Sequence, residues 1–326
     1  MATNTLRVLT AGGKGGTAKT TTTALAICLL DSYGRSPYVL EVEREQTDNA
    51  EADKLRKLSR LLRTAKREVD VRVDLPQGLD VQRNPQGALR PFEAVMSALE
   101  GTRPADGRDV VIDTGGGIAA ELLRLCEYAD HGEITEGGEG IILIVCCKVD
   151  DASSIDDAEA LAKQFRAIYP KGRVVGALTF VQADANGANS NAGRARQVMR
   201  PVCDALAEMR VETSAYMSVL YGQGFYWPAR LAGYVSDDLK VSAPKAADAL
   251  SKLAALDEGT QQVPLSVAMT NIARKRYLEW YDECMQQLDQ ALMPQAPGIA
   301  ADPIEAGAGT APAPASKRAV SAGSRV

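Results

Sequence analysis

The sequence predicts an α/β protein: a doubly wound, mostly parallel sheet flanked by helices, followed by a C-terminal helix and a disordered tail. Three observations lead there. Over residues 1–256, short apolar runs alternate with amphipathic stretches, the pattern of strand–helix units feeding one sheet. The run at 141–147, IILIVCC, is apolar without interruption, as a strand covered on both faces requires. A glycine-rich turn lies between the first apolar run and the first helical pattern, the usual start of such a fold.

The elements can be taken in order. Strands are expected at 6–10, 37–42, 79–82, 109–112, 141–147, 174–181 and 211–219. Most are short runs rich in Val, Ile and Leu, and the one at 79–82 is the weaker signal. Helices are expected at 20–32, 91–99, 119–128, 155–168 and 195–209, where apolar residues recur at helical spacing. The first domain therefore spans 1–256, and it carries an unusual insert at about 51–67. That insert holds Lys54, Arg56, Lys57, Arg60, Arg63, Lys66 and Arg67 against only Glu51 and Asp53, and its leucines fall at helical spacing. A long amphipathic helix is expected over 264–293, and a disordered Pro/Ala-rich tail over 294–326, which has too few large apolar side chains to offset the entropy of ordering.

Composition removes several kinds of chemistry. The 326 residues include 45% hydrophobic and 24% charged side chains with a net charge of −5, ordinary for a globular protein and wrong for a globally basic nucleic-acid coat. A single histidine, His131, leaves no His-rich metal site and makes a Ser/His or Cys/His couple improbable. The six cysteines contain no C-x-x-C pair and are read as reduced small hydrophobes, with Cys146 and Cys147 on opposite faces of their strand. The start carries no basic or long apolar targeting stretch, so a cytoplasmic location is expected.

The strongest chemical signal is Gly12-Gly13-Lys14-Gly15-Gly16-Thr17-Ala18-Lys19-Thr20. A glycine turn lets backbone amides curl around phosphate oxygens, and the positive end of the following helix adds to that field. In this reading Lys19 reaches the terminal phosphates and the Thr20 hydroxyl ligates Mg²⁺. The competing structural reading is a plain glycine turn between strand and helix.

The run Lys14-Gly15-Gly16-Thr17-Ala18-Lys19-Thr20 resembles the deviant Walker A motif, K-G-G-x-x-K-[ST], of the ParA/MinD superfamily of P-loop ATPases. Ala18 stands where the standard P-loop has glycine. The resemblance covers about residues 6–250 and leaves out the basic insert and everything after 260. It implies ATP or ADP bound by Gly13, Lys14, Gly15, Gly16, Thr17, Ala18, Lys19, Thr20 and Thr21. It also implies that Lys14 crosses to the phosphates of a second subunit, so that an ATP-bound homodimer is the active form. Asp113, in Asp113-Thr114-Gly115-Gly116-Gly117, resembles the Walker B aspartate, which holds a metal-bound water, and the glycines after it resemble the switch II turn. The second strand of the family ends in Asp-x-Asp; here it reads Glu41-Val42-Glu43, and Glu43 takes the switch I role in positioning metal and attacking water. Lys14, Lys19, Glu43 and Asp113 are thus the catalytic candidates, and Thr20, Glu43 and Asp113 the Mg²⁺ candidates. Adenine contacts map loosely to 179–184, with Gln182 and Asp184, and to 220–224.

Within the superfamily the chain looks most like the plasmid-borne branch of StbB-, TraL- and MobD-like proteins. The implied role is plasmid partition, positioning or conjugative transfer. The implied partners are a DNA-binding adaptor or relaxosome protein and nonspecific DNA, with nucleoid association as a consequence. The basic residues of 51–67 suit phosphate contacts, and equally suit a basic surface helix whose leucines pack on the sheet. The C-terminal helix is expected to pack on the body or a partner rather than on a membrane. Two alternatives stay open: a kinase-like P-loop enzyme with no DNA role, and an electron-transfer ATPase like the nitrogenase iron protein.

Overall fold

A computed structural model describes residues 5–13, 17–44, 58, 68–75, 85–149, 151–180, 190–210 and 267–293. Seven parallel strands form one sheet: β1 (Arg7–Ala11), β2 (Tyr38–Arg44), β3 (Val71–Leu75), β4 (Val110–Thr114), β5 (Ile141–Lys148), β6 (Arg173–Phe180) and β7 (Ala205–Arg210). Their order is β3-β2-β4-β1-β5-β6-β7, so the chain works outward from β1 to one edge and then returns to build the other half. Ligands of such sheets bind at the carboxyl ends of the strands where the winding reverses, here around β1 and β4.

The helices are α1 (Lys19–Ser32), α2 (Pro85–Glu100), α3 (Ile118–Tyr128), the single turn α4 (His131–Ile134), α5 (Ala152–Ile168), α6 (Ser190–Met199) and α7 (Val267–Leu292). They divide between the two faces of the sheet. Leu25, Ile27 and Leu30 of α1 share a core with Val8, Val111, Ile144 and, from α7, Cys284, Leu288 and Leu292. Phe92 of α2, Leu122 of α3, and Ile155 and Phe165 of α5 cover Leu9, Ile112, Leu143 and Val145 on the other face. Alternation along β5 explains the unbroken apolar run: Cys146 enters the first core and Cys147 the second. All six cysteines are free thiols.

The parallel, doubly wound class is what the sequence predicts, but two element assignments are corrected. The helix expected over 195–209 is two elements, because α6 ends at Met199 and β7 begins at Ala205. Pro201 cannot continue a helix, and Val202 and Cys203 turn back with N–H bonds of 3.1 and 3.0 Å to the Met199 carbonyl. Asp204 then enters the ladder, donating to Val174 O at 2.8 Å while its Oδ2 accepts from Val174 N at 2.7 Å. The helix-favouring Ala205-Leu206-Ala207-Glu208-Met209 is thereby pulled into a strand beside β6. The second correction is β3, which the sequence reading passed over although Val71-Arg72-Val73-Asp74-Leu75 alternates with period two. The strands expected at 79–82 and 211–219 lie outside the described residues, as does the tail at 294–326.

The C-terminal helix belongs to the body. Besides its buried face, Arg173 donates to Ala291 O at 2.5 Å and Leu292 O at 3.2 Å, satisfying carbonyls at the helix end that have no partner within the helix. Tyr33, just past the end of α1, donates its hydroxyl to Asp289 Oδ1 at 2.6 Å.

Candidate nucleotide and metal site

The site is assembled where β1, β2 and β4 end and α1 begins. After Ala11 the chain turns at Gly12 and Gly13, and α1 starts at Lys19. Gly13 has no room for a side chain, since a Cβ there would stand 2.4 Å from the Cβ of Asp157 on α5. Ala18, the residue before α1, has φ +61°, a left-handed conformation that glycine would enter without strain. Lys14, Gly15 and Gly16 lie outside the described residues.

Lys19 is 8% exposed, with its Nζ 3.5 Å from Thr17 Oγ1. A buried ammonium at a helix start, among amides that also carry positive potential, is an arrangement that attracts an anion. Thr17 is buried, and its carbonyl accepts from Thr179 Oγ1 of β6 at 3.4 Å.

The first turns of α1 point hydroxyls at β4. Thr20 Oγ1 donates to Asp113 Oδ2 at 3.1 Å, and Thr23 Oγ1 donates to Asp113 Oδ1 at 2.7 Å. Three-residue spacing places both on one helix face. Thr23 was not singled out in the sequence, although the run Thr20-Thr21-Thr22-Thr23 after the lysine contained the signal. Thr21 is buried, and Thr22 Oγ1 donates to the Ala18 carbonyl at 3.0 Å, closing the first turn.

Asp113 is 3% exposed and lies in register with Glu41 of β2, itself 1% exposed. Burial raises its pKa to about 7; the Thr23 hydrogen bond pulls the other way, Glu41 and Glu43 push further up, and Thr20 also lowers it. Glu43 stands one strand residue pair beyond. Its Oε2 lies so near the next turn that a Cβ on Gly115 would be 2.4 Å away, so this close approach needs glycine at 115. Gly115 N–H continues the ladder to Val42 O at 2.8 Å.

A buried carboxyl beside two further acids is the environment that a divalent cation would relieve, returning the group to carboxylate. Hard oxygen donors suit Mg²⁺, and the Thr20 hydroxyl already lies on Asp113. Among the described residues no three His, Cys, Asp or Glu side chains converge into a metal cage, so the remaining ligands of such an ion would come from phosphate and water. The structure thus brings Thr17, Lys19, Thr20, Glu43 and Asp113 to one end of the sheet with Gly13, Ala18 and Thr21. Gln182 and Asp184 lie outside the described residues, as do Lys54, Arg56, Lys57, Arg60, Arg63, Lys66 and Arg67. Within the insert only Leu58 is described; it is helical and buried in the α1-side core.

Cys126, the cysteine that follows the Asp113 turn and the one a cluster-bearing electron-transfer ATPase would call on, is fully buried on α3, with Sγ 3.6 Å from Met96 Sδ and burial pushing its thiol up to about 12. A thiol in that setting packs as a hydrophobe and does not reach a subunit surface.

No family model matches the chain, and no curated protein does. Among solved structures it is similar to the MinC:MinD cell division protein complex of Aquifex aeolicus, at 15% identity over 80% of this chain and 98% of that one, with a TM-score of 0.38. It is also similar to a plasmid partition protein from Borrelia burgdorferi, at 11% identity over 67% of this chain and 95% of that one, with a TM-score of 0.36. Superpositions this loose carry no function from one protein to another.

Proposed function

We propose that the chain is a Mg²⁺-dependent ATPase of the ParA/MinD type, which dimerises on ATP and acts in plasmid partition, positioning or conjugative transfer. One observation carries the ATPase reading: a buried lysine and a threonine open the helix that follows a glycine turn, and that threonine is hydrogen-bonded to a buried aspartate at the end of a neighbouring parallel strand. Phosphate, cation and acid would meet at that point. Lys19 would bind and orient the terminal phosphates. Thr20 and Asp113 would hold Mg²⁺, Asp113 in part through water. When bound, Mg²⁺ neutralises charge on the phosphate oxygens. Glu43, on the neighbouring strand, would orient the attacking water. The motif beginning at Lys14 supports the crossed-lysine dimer, and the basic stretch at 51–67 supports contact with DNA phosphates. Release from the dimer would follow hydrolysis, stimulated by a DNA-bound adaptor or relaxosome protein. Among the described residues no helix is long and apolar enough to cross a membrane.

Titration calorimetry with MgATP and MgADP tests the binding reading. Wild type is expected to bind both, and Lys19→Ala to weaken MgATP at least about 100-fold while melting within a few degrees of wild type. A wild-type chain that ignores both nucleotides refutes the proposal. Sizing in ADP and then ATP is expected to show a monomer-to-dimer shift that Lys14→Ala removes. Retention on random duplex DNA is expected to need ATP and to fall steeply with salt.

A further inference from the structure

The strand that carries Glu43 ends in Arg44, and adjacent strand residues point to opposite faces of the sheet. Glu43 lies against the turn at Gly115. Arg44 reaches the other face, where its Nη2 is paired with Oε1 of Glu121 in the first turn of α3. The partners are 35% and 20% exposed, so solvent screens the pair only in part. The position of Glu121 is itself favourable, because an acid in the first helical turn faces the positive end of the helix. Between these two contacts runs the Gly115 N–H bond to Val42 O at 2.8 Å. The end of β2 is therefore held on the β4–α3 turn from three directions: above the sheet, below it and within its plane.

Glu121 Oε2 is buried and accepts no hydrogen bond. A buried carboxylate oxygen without a donor is costly, and a guanidinium fork has further N–H groups to offer.

We infer that the Arg44–Glu121 pair is a brace that sets Glu43 against the Gly115 turn, and that both are positioning residues for hydrolysis. This rests on the ATPase reading for its chemical consequence, though not for its structural one. Lys19 opens α1 and its Nζ lies by Thr17, whereas the brace joins β2 to α3, so nucleotide affinity is expected to be little affected by it. The orientation of Glu43 relative to Asp113 depends on it.

A double-mutant cycle with two readouts tests the inference. In steady-state ATP hydrolysis, Arg44→Met and Glu121→Gln are each expected to lower kcat about tenfold with KM for MgATP within about twofold, and the double variant to show about the same tenfold total loss rather than a hundredfold one. An unchanged kcat in either single variant, or losses that multiply, overturns the inference. In nucleotide-free protein, hydrogen exchange at the Gly115 amide is expected to quicken about tenfold in both variants. Unchanged exchange overturns the brace whatever the activity. A wild type that hydrolyses no ATP overturns the ATPase reading, and the exchange result then still decides whether the brace exists.

Discussion

Asp113 is the residue on which most of the site chemistry converges, and it is an uncomfortable one. Its folded pKa of about 7 lies above the ordinary carboxylate range because it is buried and faces Glu41 and Glu43. A raised folded value means a favourable contribution that is complete below about pH 4 and is lost as the pH rises through about 7. At neutral pH without a cation, the charge works against the fold. Asp113→Asn is therefore expected to raise the nucleotide-free stability by about 1–2 kcal/mol at pH 8, the amide still meeting the hydroxyls of Thr20 and Thr23. Thermal melts over a pH series check this; a variant no more stable than wild type at pH 8 contradicts it. The same variant is expected to lose its Mg²⁺ response. The pairing of Thr20 with Asp113 was legible in the sequence, since a strand–glycine–helix start and a second strand ending in aspartate leave little freedom. Thr23, Glu121 and Arg44 were not, because no motif marks them, and the Thr23–Asp113 and Arg44–Glu121 contacts exist only once α1 and α3 are packed on the sheet.

At the scale of elements, the C-terminal helix shows how burial, cap and hydrogen bond act together. Its inner face contributes Cys284, Leu288, Ala291 and Leu292 to the core beneath α1, and Arg173 terminates it. Leu288 is fully buried, so Leu288→Ala is expected to cost about 2–4 kcal/mol in denaturant-induced unfolding, with nucleotide affinity unchanged. A loss below about 1 kcal/mol would mean that the helix is only lightly held. The long helix could be read from its periodicity, but its partner could not, since an apolar stripe names no surface. The opposite failure occurred at β7. There local composition favoured a helix, and pairing with β6 decided otherwise. At β3 the alternation was present but short, and the neighbouring 79–82 run competed with it.

For the whole molecule, His131 offers a pH test that involves none of the candidate site residues. It is fully buried, with Nδ1 2.8 Å from the Tyr169 hydroxyl and Nε2 3.7 Å from Glu100 Oε1. Burial depresses its pKa; Glu100 raises it in part, and Arg7 lowers it. A depressed folded value means that stability is full above about 6.5 and falls as the pH drops through the folded value. Asp113 acts with the opposite sign in an overlapping range, so the difference between proteins is the measurement. Wild type minus His131→Gln is expected to decline from pH 7 to pH 5, and a flat difference removes the linkage. As His131 is the only histidine, no other imidazole can mimic the effect. The doubly wound class itself was plain from the sequence because buried parallel strands are written as apolar runs, a signal that survives ignorance of every tertiary contact.

The pinning of α1 has a mechanical consequence. The helix that begins at Lys19 is wedged between sheet and α7, and its far end is tied down through Tyr33 and Asp289. It behaves as an anvil. An anion bound at its amino end is therefore expected to be felt at the acid-bearing strand ends and the Gly115 turn rather than through a tilt of that rod.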